Sequence, residues 1–103
     1  MAFSSDWPVA PISPMLSFKA GMLRKPYRKG DPEQRQSLMQ MIEGYTVGGA
    51  YCEFMEHRKG MLKAGMLADV AVFSADLEKT EPEVLTDVTA AATICDGVVT
   101  HEA

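Results

Sequence analysis

The chain has 103 residues, of which 47% are apolar and 23% are charged, and its formal net charge is −4. This length and composition fit one globular domain with a modest core and argue against wholesale disorder. No apolar run is long enough to predict a membrane span, and no basic region precedes an apolar run at the amino terminus, so we expect no signal peptide. The densest basic run, residues 24–30, is followed by Asp31 and Glu33, so we expect a solvated loop there, no nucleic-acid or membrane partner, and a cytoplasmic protein.

The first predicted elements are the end of a short strand and a proline-rich loop in residues 3–11, followed by a helix over residues 13–24. Asp6 stands where the strand ends, and an acid in that place is typical of catalytic positions in barrel enzymes. Prolines in the loop exclude helix before Ser13. Ser13 is a suitable cap and Pro14 fits the first helical position, so the helix begins there.

A polar loop is predicted over residues 26–36, and a long helix over residues 37–56. Ser37 and Gln40 have the spacing of a capping box at its start. Apolar residues surround much of this helix, so we expect it to be well covered. The adjacent glycines Gly48 and Gly49 each cost about 1 kcal/mol of helix stability against alanine. Close approach of a neighbouring element is the usual reason for such glycines.

After residue 57 the hydrophobic pattern changes from helical spacing to β-rich runs. A turn is predicted at residues 64–65, a strand over 68–73 and a proline-started helical turn in 80–87. Residues 88–102 read as two strands joined by the Asp96-Gly97 turn, which is a strong hairpin signal. Two principal helices followed by a small antiparallel β portion give an α+β fold class.

The two cysteines, Cys52 and Cys95, are far apart and lack the spacing of a metal or redox motif. Each stands among apolar neighbours. We therefore predict small buried hydrophobic residues in a reducing compartment, with a disulfide as the alternative.

Four stretches resemble, in the same order, the carboxyl-terminal end of the amidohydrolase superfamily. The stretches are FSSDWPVAP (3–11), SLMQMIEGYTVGGAY (37–51), KGMLKAGMLADVAVF (59–73) and TICDGVV (93–99). The closest branch is the amidohydrolase-3 type, which contains exo-acting amide and formamide hydrolases. The S-D-W-P-V element is more specific to this branch, whereas the glycine-rich and D-G-x-V elements are shared across the superfamily.

The resemblance implies a metal-dependent hydrolase, with zinc as the divalent metal, built from a barrel of about eight strands and helices and a separate small β-sandwich. It divides the single domain 1–103 into a barrel-end part, 1–57, and a sandwich-derived part, 58–103. The matched elements are the last barrel helices (13–24 and 37–56) and sandwich strands that pair with strands from the enzyme's own amino terminus (60–73 and 88–101).

The resemblance also implies a role for Asp6, which matches the aspartate that binds one metal and takes a proton from the attacking water. The family's His-x-His pair, modified lysine or glutamate and two later histidines have no match, and His57 and His101 are expected at the surface. A catalytic metal needs about three protein ligands, so Asp6 is a metal ligand only if another chain supplies the rest. Trp7 is the candidate substrate-binding residue by position, whereas in this chain the favoured alternative is packing against the first helix. Asp69 is expected to be structural, accepting backbone hydrogen bonds.

The sequence therefore predicts a truncated or remnant carboxyl-terminal part of a hydrolase acting on C–N bonds, inactive alone and without a cofactor of its own. One alternative is a subunit that complements a separately encoded amino-terminal portion and supplies Asp6 in trans. Another is a small-molecule-binding or oligomeric module, with a pocket between the Trp7 loop and the helices. Apolar surface and unpaired strand edges also predict a homo-oligomer, most simply a dimer, with helix 37–56 or the terminal hairpin at the interface.

Overall fold

The helices come first and the sheet last in this computed structural model, which describes residues 1–103. Helices α1 (Pro14–Leu23), α2 (Leu38–Tyr45) and α3 (Val47–Cys52) precede strands β1 (Val70–Phe73), β2 (Ala90–Cys95) and β3 (Val98–Glu102). A 3₁₀ helix, Pro82–Asp87, lies between β1 and β2. The predicted α+β class and the proline-started helical turn are both confirmed.

The starts of the first two helices follow the predicted capping signals. In α1 the Ser13 hydroxyl accepts a hydrogen bond from the Met15 backbone N–H at 3.4 Å, and Pro14 occupies the first turn. In α2 the Gln40 N–H donates to the Ser37 hydroxyl at 3.2 Å, and the Ser37 N–H donates to the Gln40 side chain at 2.7 Å. The capping box thereby provides acceptors for two backbone N–H groups, those of Ser37 and Gln40, that have no partner within the helix.

The prediction of one helix over residues 37–56 is wrong, because the chain bends at Thr46 and α3 ends at Cys52. Thr46 has φ −119° and ψ −89°, and its hydroxyl donates to the Ile42 carbonyl at 2.7 Å. Such back-bonding bends helices. The β-branched pair at 46–47 and the two glycines after it also have poor helix propensity, so continuation of one helix is weakly favoured there.

The amino-terminal segment forms no strand, which corrects the short strand end predicted at the start of residues 3–11. It lies across α2 and α3 instead, where the Phe3 N–H donates to the Gly44 carbonyl at 3.0 Å. A Cβ on Gly44 would overlap the Phe3 ring, and one on Gly48 would overlap the Met1 carbonyl. The close neighbour predicted for Gly48 is confirmed, whereas Gly49 faces open space. A strand needs a paired neighbour, and no other strand of this chain reaches the segment.

The sheet is antiparallel with the order β1-β2-β3, and the Asp96-Gly97 turn joins its last two strands as predicted. Both turn residues have positive φ, +47° and +80°, as this type of hairpin requires. The Asp96 N–H donates to the Asp69 carboxylate at 2.9 Å, and the Gly97 N–H donates to the Ala68 carbonyl at 3.0 Å. The structural role predicted for Asp69 is confirmed.

The core is small and joins both halves of the chain. It is a cluster of five buried side chains from α1, α2, the 3₁₀ helix and the residue after it: Met15, Phe18, Met41, Leu85 and Val88. Only 7 of 103 residues are buried, and the radius of gyration is 14.8 Å, against about 13 Å for a compact domain of this size. Much apolar surface therefore stays outside the core.

Both cysteines are exposed and free, so their predicted burial is wrong and the alternative disulfide is not formed. Cys52 ends the short helix α3, and Cys95 ends β2 beside the hairpin turn. None of the helices has the length and apolar character needed to cross a membrane.

Candidate functional site

Asp6 lies in an exposed turn with its carboxylate free of hydrogen bonds and ion pairs. Its backbone N–H donates to the Ser4 hydroxyl at 3.2 Å, and its carbonyl accepts from the Val9 N–H at 2.8 Å, which closes the turn. The Asp6 φ angle is +51°, an uncommon conformation for a residue with a side chain. Backbone strain of this kind costs about 1–3 kcal/mol and concentrates at functional sites.

Trp7 follows Asp6 directly and is 66% exposed, so packing against the first helix is the wrong alternative for this side chain. Val9 and Ile12 are still more exposed. Residues 6–12, here called the Asp6 loop, therefore present one free carboxylate beside three large apolar side chains. Substrate-binding sites typically combine apolar side chains with a few polar groups, and the Asp6 loop has both.

The residues of this chain do not fit a complete metal site. No group of three His, Cys, Asp or Glu side chains lies close enough together to hold an ion. His57 follows α3 and His101 lies on β3, and both are exposed as predicted. Asp6 alone supplies one carboxylate, whereas a hydrolytic metal needs about three protein ligands and an open position.

An apolar cleft of about 460 Å³ opens between the helices and β1. Its lining is mostly apolar: Pro14, Phe18, Ile42, Leu62, Val70 and Phe73. Thr46 and the Asp69 carboxylate are its polar members, and both also line an adjoining cavity of about 280 Å³. Tyr45 lines both spaces, and its hydroxyl is buried without a hydrogen-bond partner.

Sequence reasoning missed this cleft because its walls come from elements distant in the chain. Phe18 and Tyr45 meet with ring centroids 5.5 Å apart, and Phe3 stands 6.0 Å from Tyr45 on another side. The helical spacing of Phe18 and Tyr45 indicates only that each faces inward. The buried Tyr45 hydroxyl has no hydrogen-bond partner within the chain, which makes it a polar group open to a ligand or partner.

The sheet also has two open edges, because β1 and β3 are its outer strands. Every residue of β3 is exposed, and Val72, Val98 and Val99 are 46–66% exposed. Unpaired edges with apolar side chains are templates for a further strand. The apolar cleft runs along β1, so one open edge and one apolar groove lie side by side.

Comparison with known proteins gives a consistent family. The profile of the "Amidohydrolase family" matches residues 1–101. The Arabidopsis thaliana protein LONG AFTER FAR-RED 3 is 33% identical over 79 residues, which are 74% of this chain and 14% of that protein. YtcJ of Bacillus subtilis (strain 168), whose name places it among the amidohydrolases, is 28% identical over 106 aligned residues, with 98% of this chain and 20% of that protein covered.

The fold comparison agrees with the sequence comparison. The crystal structure of an amidohydrolase from Thermotoga maritima MSB8 superimposes with a TM-score of 0.69 at 23% identity, covering 99% of this chain and 23% of that one. The arrangement of helices and sheet is therefore that of one portion of an amidohydrolase structure. The chain spans no more than 23% of the length of any of these three proteins.

Proposed function

Since the chain belongs to the amidohydrolase family, we propose that it is the carboxyl-terminal part of a metal-dependent hydrolase acting on C–N bonds, and that it has no turnover by itself. The observation that carries this proposal is the free Asp6 carboxylate, held at positive φ in the S-D-W-P-V element and belonging to no group of three side chains that could hold a metal ion. Amidohydrolases generally depend on a metal ion. One carboxylate cannot by itself hold and activate such an ion.

In this proposal Asp6 binds the metal and accepts a proton from the attacking water, while the remaining ligands come from an amino-terminal portion. Trp7 and Val9 form part of the wall against which the substrate's apolar group lies. Their exposure, 66% and 81%, supports this assignment because both side chains are accessible to a substrate.

The apolar cleft between the helices and β1 also supports this proposal. An extended strand of the amino-terminal portion would pair with the open edge of β1 and place alternate side chains in the cleft. The Tyr45 hydroxyl would then find its missing partner. We assign residues 1–57 to the barrel end and 58–103 to the sandwich. One core holds both parts together, because Met15 and Met41 share a cluster with Leu85.

The decisive experiment places this chain in a hydrolase. A chimera carries residues 1–103 in place of the matching segment of a family enzyme of measured activity. We expect metal-dependent amide hydrolysis, which falls about 10²–10⁴-fold in Asp6→Asn, the range for a lost proton-transfer group. Asp31→Asn, in an exposed loop, is the matched control and retains activity. Equal rates for the chimera and Asp6→Asn would refute the role of Asp6.

The isolated chain tests the other half of the proposal. Supplied with zinc, it should hydrolyse none of the amides or formamides that the chimera accepts, and it should retain less than one metal ion per chain after gel filtration. Hydrolysis by the chain alone, with one bound metal, would overturn the claim that it depends on a second portion.

The apolar cleft also favours a second candidate, a small-molecule-binding module. Its volume of about 460 Å³ lies within the range of ligand pockets, about 300–1,000 Å³. The cleft lies between the helices and β1, not between the Trp7 loop and the helices where the sequence suggested a pocket. A rise in melting temperature with apolar ligands, abolished by Ile42→Trp, would support this function. If no ligand changes the melting temperature and the chimera is active, the binding-module function is refuted and only the hydrolase proposal remains.

A cytoplasmic location is part of the proposal and rests on the two thiols. Cys52 and Cys95 are exposed and unpaired, and exposed free thiols persist in reducing compartments. Cell fractionation of a tagged chain tests the location. Recovery of the tag in an oxidising compartment, with both thiols oxidised, would contradict it.

A further inference from the structure

Charge is distributed very unevenly along the chain. Residues 24–35, here called the basic loop, contain five cations and two acids and have a net charge of +3. The remaining residues contain five cations and twelve acids, with a net charge of −7. The overall charge of −4 is therefore the sum of one positively charged loop and a negatively charged remainder. Such asymmetry indicates an interaction surface, because opposite potentials steer association.

The carboxylates of both acidic residues in the basic loop accept hydrogen bonds from other residues of the same loop. The Asp31 carboxylate accepts from the Arg28 backbone N–H at 2.9 Å, and the Glu33 carboxylate accepts from the Arg35 side chain at 3.0 Å. Four cations remain without an acidic partner: Arg24, Lys25, Arg28 and Lys29. The loop therefore presents unneutralised positive charge to its surroundings.

An exposed aromatic ring stands among these cations. Tyr27 is 91% exposed, and the Arg28 guanidinium carbon lies 5.8 Å from its ring centroid. Cavities of about 560 Å³ and 470 Å³ lie on either side of Pro26 and Tyr27. Lys25 lines both of them. This surface combines cations, an aromatic anchor and concave space, which suits carboxylate side chains of a partner.

The complementary charge lies in residues 76–87, here called the acidic segment. It contains five acids, Asp76, Glu78, Glu81, Glu83 and Asp87, and one cation, Lys79. Lys79 pairs with Asp76 at 3.1 Å. The other four carboxylates are exposed and form no ion pair or hydrogen bond. Four free carboxylates on this segment thus match four free cations on the basic loop.

One molecule does not bring the two regions together. The three ion pairs of the chain are all within the loop, within the segment or between Lys59 and Glu53. Leu85 holds the acidic segment in the core with Met15 and Phe18, in the amino-terminal half of α1. The basic loop leaves from the other end of α1, about 15 Å along its axis. No ion pair joins the two regions within one molecule, so the charges of both remain available for a contact between molecules.

We propose that the basic loop of one molecule binds the acidic segment of a second copy, and that two such contacts around a two-fold axis form a dimer. Single exposed ion pairs contribute little, whereas several charges acting together contribute more. Two symmetric contacts double the number of charges engaged. This interface differs from the helix 37–56 or terminal-hairpin interface expected from the sequence. It also stands apart from the proposed hydrolase function, because neither region contains a residue of the Asp6 loop.

The first test is sedimentation velocity of the chain at two salt concentrations. The Debye length falls from about 30 Å at 0.01 M to about 3 Å at 1 M. We expect a dimer at about 0.01 M salt and a monomer at about 1 M. A monomer at both concentrations, or a dimer indifferent to salt, would overturn the proposal.

Charge reversal identifies the contacting regions. Lys25→Glu with Lys29→Glu makes the basic loop acidic, and Glu81→Lys with Glu83→Lys makes the acidic segment basic. All four side chains are exposed, so the fold should be retained and far-ultraviolet circular dichroism verifies it. Each double variant alone should raise the dimer dissociation constant about a hundredfold or more, because like charges then face each other.

Mixing the two double variants is the strongest test. Each variant now carries the charge that the other lacks, so a one-to-one mixture should regain a dimer that dissociates in high salt. The control, Lys63→Glu, reverses an exposed cation outside both regions and should dimerise as the unmodified chain does. Failure of the mixture to associate would overturn the pairing. So would binding of a polyglutamate peptide to the basic loop without any self-association.

Discussion

Replacing Gly44 by alanine tests how the amino-terminal segment is held against α2. An alanine Cβ at this position would stand 2.5 Å from Phe3 Cε2 and closer still to Cδ2, well inside van der Waals contact. Tyr45 lies 6.0 Å from the Phe3 ring, centroid to centroid, and this neighbour limits how far the ring can move. The added methyl group must therefore push Phe3 and the segment that carries it off the helix.

The expected magnitude follows from three opposing effects. Alanine improves helix propensity over glycine by about 1 kcal/mol. Overpacking of the Phe3 ring costs about 1–3 kcal/mol. Displacement of the segment also breaks the 3.0 Å hydrogen bond from the Phe3 N–H to the Gly44 carbonyl, which contributes about 0.5–1.5 kcal/mol. Gly44→Ala should therefore lower the free energy of unfolding by about 0.5–3.5 kcal/mol.

Gly49→Ala is the matched control, because a Cβ at Gly49 meets no atom within 4 Å. Its propensity gain is unopposed, so it should raise the free energy of unfolding by up to about 1 kcal/mol. Urea denaturation of the two variants and the unmodified chain, followed by circular dichroism, measures both changes. The reasoning is refuted if Gly44→Ala and Gly49→Ala have the same free energy of unfolding. The added methyl group at Gly44 would then cost nothing against the Phe3 ring.

Three further substitutions test the other structural assignments. Ser37→Ala removes the capping hydroxyl of α2 and should destabilise the chain by about 1 kcal/mol; an unchanged urea midpoint would contradict the capping role. Leu85→Ala deletes a side chain with 0% exposure and should cost about 2–5 kcal/mol, and a loss below 1 kcal/mol would mean that the core lies elsewhere. Asp69→Ala removes the acceptor of the Asp96 N–H, so amide exchange at Asp96 should accelerate by about fivefold, in line with a hydrogen bond of about 1 kcal/mol, while exchange in the helices stays unchanged.

Elements specified by neighbouring residues were predictable from the sequence. The Ser37–Gln40 capping box needs only side chains three residues apart, and the Asp96-Gly97 hairpin needs only residues that accept positive φ. Asp6 was likewise identified by a short motif, and the structure places it in an exposed, strained turn. These features are local, so no knowledge of the remaining fold is required to find them.

Features set by contacts between distant segments were not predictable. The bend at Thr46 and the position of Phe3 on Gly44 arise together, as the amino-terminal segment packs across two short helices. The exposure of Cys52 was missed as well, because apolar neighbours in the sequence do not determine which side of a short helix is covered. The apolar cleft was also missed. Its walls come from α1, α2 and β1, which no local pattern brings together.

The scarcity of buried residues, 7 of 103, has a thermodynamic consequence for how this polypeptide behaves on its own. Heat-capacity change on melting scales with the apolar area newly exposed, so the stability curve should be shallow and the thermal transition broad. Assembly with another polypeptide would remove further apolar area from water and would raise the apparent stability by mass action. The melting temperature should then depend on the concentration of that partner.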